Sequence, residues 1–199
     1  IDGLNGLVSG YYLIVLLSIF YLNYNFSLFH AISIIELDLI KVLIFSLFIF
    51  FIFNIFGLVY LGDSGSYLIA LLLGIILIKN HSQNDFISPF YVVNMLWYPA
   101  FENLFSLIRR FYSKKNISLA DKYHLHQMIY RFFKSKKTSK IINLNSLSAL
   151  IILFFILFGA VLSSIVYWHT SYLVIILFFN ISIYLLAYFM ISKNFNLNK

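Results

Sequence analysis

The sequence lacks cysteine and has few charged residues, and both absences narrow the class of protein. Without cysteine, disulfides, thiol catalysis and cysteine-bound metals are excluded across its 199 residues. Asp, Glu, Lys and Arg together make up 11% of the chain, whereas soluble domains carry about 25%. Hydrophobic residues make up 62%, and the mean hydropathy is +0.92. This composition, with several long apolar runs, predicts an all-α integral membrane protein.

The apolar runs predict about six transmembrane helices, because they are too long for barrel strands of roughly 10 residues. The expected spans are 7–22, 37–56, 67–78, 88–108, 144–168 and 172–191. No internal repeat or soluble region separates them, so residues 1–199 are expected to form a single membrane domain. The third span is short, with a polar turn expected from Asn80 to Asp85. Pro99 should kink the fourth, where Glu102 needs a partner, water or a headgroup position.

Positive charge is concentrated in one loop. Residues 109–143 contain ten of the fourteen Lys and Arg residues. The positive-inside rule predicts that this loop is cytoplasmic. Strict alternation then puts residues 1–6, the 57–66 loop and the C-terminus on the same side. The net charge of +7 therefore indicates topology in a multi-pass membrane protein, not nucleic-acid binding.

The hexapeptide LGDSGS, between the second and third spans, is the strongest local signal. Asp63 stands among flexible Gly62 and Gly65, which allow a sharp turn or a close approach to a ligand. Ser64 and Ser66 are predicted to cap the following helix, whose N-terminus favours anions. A Mg²⁺ ion joining Asp63 to a phosphate fits this arrangement. The alternative is an N-cap aspartate on an ordinary membrane helix.

A histidine pair lies in the basic loop, in the segment ADKYHLHQ. His124 and His126 share a face only on extended chain, so a pair that binds one ligand is expected there. Two solvated histidines are the alternative. Ile129, Phe132 and Phe133 follow at helical spacing among cations. They predict a short amphipathic helix in the lipid headgroup region, although a plain basic loop explains the charge equally well.

Four motifs, in order along the whole chain, resemble the polyprenyl-phosphate N-acetylhexosamine-1-phosphate transferases, a family of membrane enzymes. IDGLNGLVSG resembles the DGxDGLAxG loop of the family, and LGDSGS with the span after it resembles GDxGSxxLGxxLG. YPAFENLFSLIRR is similar to the family's Pro-x-x-Asp/Glu helix, and ADKYHLHQ is similar to its HxHH loop. The common membrane side predicted for these loops strengthens the resemblance.

The resemblance implies a reaction and its site. The sugar-1-phosphate of a UDP-N-acetylhexosamine passes to undecaprenyl phosphate with release of UMP, which starts cell-envelope glycan synthesis, including cell-wall and lipopolysaccharide glycans, at the bacterial inner membrane. The implied cofactor is Mg²⁺, with Mn²⁺ as the alternative, and Asp63 is the implied metal ligand. The implied catalytic residues are Asp2, Asp63, His124 and His126. The implied substrate-binding residues are Asn5, Gly62, Ser64, Arg109 and Arg110. Membrane lipid is a further partner, and a homodimer is left open.

Three departures from the family pattern keep other interpretations open. Asn5 stands where the family has a second Asp, and Gln127 where it often has a third His. The family's Asp-Asp pair, which precedes these motifs, is not in this sequence. We therefore expect the C-terminal part of a longer transferase, inactive by itself. A non-catalytic scaffold with the same fold is the main alternative. A small transporter, indicated by Glu102 and the interrupted fourth span, is another.

Overall fold

The computed structural model describes residues 3–26, 34–113, 123–135 and 143–194, and every regular element in these ranges is an α-helix. The helices are α1 (Leu7–Phe26), α2 (Ile34–Ile55), α3 (Gly62–Gln83), α4 (Pro89–Tyr112), α5 (Leu125–Ser135), α6 (Leu144–Ile165) and α7 (Thr170–Asn194). The predicted fold class, an all-α integral membrane protein, is confirmed.

Five of the long helices are apolar enough to cross a membrane, namely α1, α2, α3, α6 and α7. The sixth expected span, α4, has 24 residues, but Asn94, Glu102 and Asn103 interrupt its apolar run. The predicted third span is too short, and the polar turn predicted from Asn80 begins only at Asn84. Helix α3 has 22 residues because its polar ends continue the helix, and Asn80 is buried where it donates to Asn23 Oδ1 at 3.1 Å.

Helix α1 lies at the centre of the bundle, where it contacts α2, α3 and α6. Most of its side chains are buried, whereas few side chains of α2, α3 and α7 are. An apolar helix that is buried on nearly all sides needs no polar face. The exposed apolar side chains of the outer helices are those that a bilayer would cover.

Pro99 interrupts the hydrogen bonding of α4, and α1 compensates for it. Proline has no N–H to donate to the carbonyl four residues earlier, which here belongs to Met95. The buried hydroxyl of Tyr11 donates to that carbonyl oxygen at 3.0 Å. Neighbouring helices commonly satisfy backbone groups that a membrane-helix proline frees, and here the contact also fixes α4 against α1.

Hydrogen bonds between loops define the two ends of the bundle. At one end, Asn5 N–H donates to Asn145 Oδ1 at 2.6 Å, which joins the segment before α1 to the start of α6. At the other, Ser88 N–H donates to the Tyr167 carbonyl at 3.0 Å, which joins the start of α4 to the α6–α7 turn. The first end carries the segment before α1, the α2–α3 loop, and the start of α6. We call it the loop end.

Candidate functional site

A cavity of about 510 Å³ opens at the loop end. It lies between the segment before α1, the α2–α3 loop, α5 and the start of α6. Its lining consists of Gly3, Leu4, Asn5, Val8, Asn54, Tyr60, Leu61, Gly62, Tyr130, Asn143 and Asn145. Amide side chains and tyrosines dominate this set, and none of these residues is charged. Such a surface offers hydrogen bonds and ring faces to a polar small molecule.

Asn54, near the end of α2, holds two walls of the cavity together. Its Oδ1 accepts hydrogen bonds from Gly6 N–H and from Ser9 Oγ, both at 2.9 Å. Its Nδ2 donates to the Val59 carbonyl at 2.7 Å. One buried amide therefore fixes the start of α1 and the α2–α3 loop relative to each other.

Asn5, predicted to bind substrate, lines the cavity and packs against Gly57. A Cβ atom on Gly57 would lie 2.8 Å from Asn5 Nδ2, and the φ of Gly57 is +73°. The positive φ favours glycine at this turn, and any larger residue would displace the Asn5 side chain. The glycine thus allows the first segment and the α2–α3 loop to touch.

Asp63 lies in the first turn of α3, and its side chain is exposed. Its carboxylate makes no hydrogen bond or ion pair with the residues that the structure describes. Gly62, at the start of the helix, has φ +68°, which only glycine adopts easily. The backbone of this segment is anchored to α1, because Tyr12 OH donates to the Ser66 carbonyl at 2.9 Å.

The predicted capping of α3 by serine is wrong. The helix already begins at Gly62, so Ser64 and Ser66 lie inside its first turns and no side chain caps it. Ser66 Oγ donates instead to the Asp63 carbonyl at 3.0 Å. Ser64 is exposed beside Asp63. The N–H groups at the start of α3 are therefore not used by a capping side chain.

The two histidines meet, although not on extended chain as predicted. His124 lies just before α5 and His126 is in its first turn, because the helix begins at Leu125. Their rings stack with centroids 5.4 Å apart and 9° between planes. His126 is buried, and a Cβ atom on Gly3 would lie 4.0 Å from its Nε2. The structure thus brings the histidine segment to the segment before α1.

The predicted amphipathic helix is present as α5, and of its predicted apolar face Ile129 is buried while Phe132 and Phe133 are half-buried. Met128 and Ile129 are buried, and α5 contacts α6 and α7. Its location in the lipid headgroup region stays a prediction. The helix holds the histidine pair against the bundle.

Glu102 is the acid that pairs with the histidine segment, and it belongs to α4. Its carboxylate is buried, with Oε1 3.1 Å from His124 Nδ1 and 2.8 Å from the donating Leu125 N–H. The sequence predicted the need for a partner but did not identify it.

Arg109, at the end of α4, lies beside an aromatic group. Its Nη1 donates to Tyr188 OH at 3.1 Å, and its guanidinium carbon is 5.3 Å from the centre of the Tyr123 ring. Arg131 lies over the same ring at 5.8 Å. Arg110 is half-buried.

The described residues that line the cavity do not include Arg109, Arg110, His124, His126 or Asp63.

Metal ligands are incomplete within the described ranges. There, no three His, Asp or Glu side chains come together as a metal site. Asp63 is an exposed oxygen donor of the type that Mg²⁺ prefers. Asp2, the other acid that the sequence predicted for this site, lies outside the described residues.

Several cavity residues were not predicted from the sequence: Asn54, Tyr60, Tyr130, Asn143 and Asn145. Asn54 had a usable signal, since a polar residue inside an apolar membrane helix needs a partner and is commonly functional. The others are unremarkable in the sequence and become neighbours only in the fold.

Comparison with known proteins was consistent with these motifs. Residues 1–81 match glycosyl transferase family 4. This match supports the predicted family. A probable undecaprenyl-phosphate N-acetylglucosaminyl 1-phosphate transferase of Bacillus subtilis (strain 168) is 28% identical over 190 residues, which cover 89% of this chain and 47% of that protein. The chain thus spans about half the length of this curated relative. No solved structure matches significantly.

Proposed function

We propose that this chain is part of an enzyme that transfers N-acetylhexosamine-1-phosphate from a UDP-sugar to undecaprenyl phosphate and releases UMP. The observation that carries the proposal is the meeting of the family motifs at the loop end. Asn5 of the first motif and Gly62 of the second line one cavity. Gly3 of the first motif faces His126 of the fourth. The family match and the name of the relative support the same activity.

The cavity is proposed to bind the uncharged part of the UDP-sugar. Its volume of about 510 Å³ lies within the usual range for small-molecule sites, about 300–1,000 Å³. Asn54 and Asn145 can bond to an acetamido, hydroxyl or base group, and Tyr60 offers an exposed ring face. A pocket without charge suits the nucleoside or sugar better than the diphosphate.

The diphosphate is proposed to lie outside the cavity, toward Asp63 and the histidines. Phosphoryl transfer depends mainly on positioning and on stabilisation of charge. The uncapped start of α3 and the partly exposed imidazole of His124 supply donors for phosphate oxygens, and the buried His126 stacks against His124. The apolar outer surface of the bundle would lie against the lipid chain of the acceptor.

Mg²⁺, or Mn²⁺ in its place, is part of the proposal, with Asp63 as a ligand. The described residues alone do not make a complete magnesium site. Asp2 and substrate phosphates are the candidates for the missing ligands. When bound, the ion would neutralise phosphate charge. Because the sequence lacks the family's Asp-Asp pair, residues 1–199 by themselves are proposed to be inactive.

The test is a transfer assay in nanodiscs with undecaprenyl phosphate and a panel of UDP-sugars. It uses residues 1–199 and a longer form that includes the coding sequence upstream of Ile1. We expect the longer form to release UMP and to make a lipid-linked sugar phosphate with a UDP-N-acetylhexosamine, and to stop when EDTA is added. No UMP release from the longer form with any UDP-sugar would contradict the proposed function and favour a scaffold.

A further inference from the structure

Glu102 is the most deeply buried acid among the residues whose side chains the structure describes, with 1% of its surface exposed. It lies on α4 about one turn after Pro99. A carboxylate in such a place is unfavourable unless hydrogen bonds compensate for lost water. Within the described part of the chain, the carboxylate of Glu102 makes two hydrogen-bonding contacts; both use Oε1, and both reach the start of α5. Glu102 therefore stabilises a segment that is distant in sequence.

The first contact caps α5 from another helix. Leu125 is the first residue of α5, and its N–H has no acceptor within the helix. Glu102 Oε1 accepts that N–H at 2.8 Å. A negative charge at this position also interacts favourably with the helix dipole. The start of α5 is thus fixed relative to α4, and the orientation of the adjacent histidines follows from it.

The second contact orients one imidazole. Oε1 lies 3.1 Å from His124 Nδ1, and because Oε1 already accepts the Leu125 N–H, we infer that Nδ1 carries a hydrogen and donates. The Nε2 atom of a neutral His124 is then left as an acceptor, and that of a protonated His124 as a donor. The side chain of His124 is 21% exposed, so it is the member of the stacked pair that a ligand can reach.

We propose that Glu102 is a positioning residue that fixes the Nδ1–H tautomer of His124 and directs its Nε2 toward the transferred phosphate. The part of this inference that concerns phosphate rests on the proposed function. The part that concerns the tautomer rests on the two contacts of Oε1 alone. Carboxylates that orient a metal-bound histidine typically lower metal affinity or activity about 10–100-fold when removed, and we expect an effect of the same order here.

The tautomer is measured by two-bond ¹H–¹⁵N correlation spectra of histidine-labelled protein in nanodiscs, using the longer form. The spectra are recorded at about pH 8, where an ordinary imidazole is neutral. His124→Gln assigns the signals of His124. We expect the Nδ1–H form in the wild type and in Glu102→Gln, whose amide oxygen still accepts. Glu102→Ala is expected to give mainly Nε2–H, the form that free histidine prefers.

Two results would overturn the inference about the tautomer. One is a wild-type His124 in the Nε2–H form, and the other is a Glu102→Ala variant that keeps the Nδ1–H form. If Glu102→Ala does not fold, Glu102→Asp replaces it, because the shorter side chain keeps the charge but withdraws the oxygen. It is then expected to show the same change of tautomer.

Transfer kinetics test the link to the reaction. Glu102→Ala should lower kcat by about 10–100-fold with little change in the KM for the UDP-sugar. Glu102→Gln should lower kcat by a smaller factor. Asn103→Ala, an exposed neighbour on α4, is the matched control and should behave as wild type. A normal kcat in Glu102→Ala would overturn the positioning role. If the wild type transfers nothing, the proposed function fails, and the spectra still decide whether Glu102 orients His124.

Discussion

A carboxylate lies at the start of α3 and another at the start of α5, but the two differ in burial and in hydrogen bonding. Asp63 belongs to α3 itself and is exposed, and its carboxylate makes no hydrogen bond or ion pair with the described part of the chain. Glu102 comes to α5 from α4, is buried, and accepts the first N–H of that helix. An acid that the fold leaves in contact with water can bind a ligand. An acid that the fold has buried and bonded instead positions its neighbours.

The largest effect is expected from Asp63→Asn. The variant removes the charge of a proposed metal ligand and nothing that the fold depends on, so turnover should fall by more than about 100-fold, beyond the range for residues that act through a ligand. Thermal unfolding should stay unchanged. Transfer assays and scanning fluorimetry measure the two quantities. Asp85→Asn, at an exposed acid in the turn that follows α3, is the control and should keep full activity. Normal turnover in Asp63→Asn would remove Asp63 from the site.

A smaller effect, on stability, separates the two acids. Glu102→Ala leaves the Leu125 N–H without its acceptor, which should lower the free energy of unfolding by about 1–3 kcal/mol. Asp63→Ala should change it by less than about 0.5 kcal/mol, as for surface substitutions in general. Unfolding of both variants in the same detergent checks the difference. Equal losses in the two variants would contradict the distinction between a free and a structural carboxylate.

The smallest effect is expected from Tyr12→Phe, which removes the hydroxyl that anchors the start of α3. Its hydrogen bond to the Ser66 carbonyl should contribute about 0.6 kcal/mol, the average for bonds between membrane helices. We also expect faster hydrogen exchange at the start of α3, with α5 unaffected. Tyr67→Phe, at an exposed position on α3, is the control. A change in exchange at α5 would show that the two helix starts are coupled.

The sequence predicted more of the fold than of the site. Apolar runs identified the long helices, since burial in lipid requires continuous hydrophobic length. They did not locate the ends of α3, because both polar ends of this helix are held by contacts with α1. Tyr12 OH donates to the Ser66 carbonyl near the start, and Asn80 donates to Asn23 near the end. The sequence correctly predicted that His124 and His126 lie together, but it did not predict that α5 begins between them.

The sequence by itself determined that the chain is an all-helical membrane protein with the motifs of one family, because composition and short motifs are local properties. Only the tertiary structure decided which residues meet. It paired Glu102 with His124 across 22 positions of sequence, and Asn5 with Asn145 across 140. Such pairs depend on how the helices are arranged, and no local pattern encodes that arrangement. Burial then decided which acid serves the fold and which remains available to a ligand.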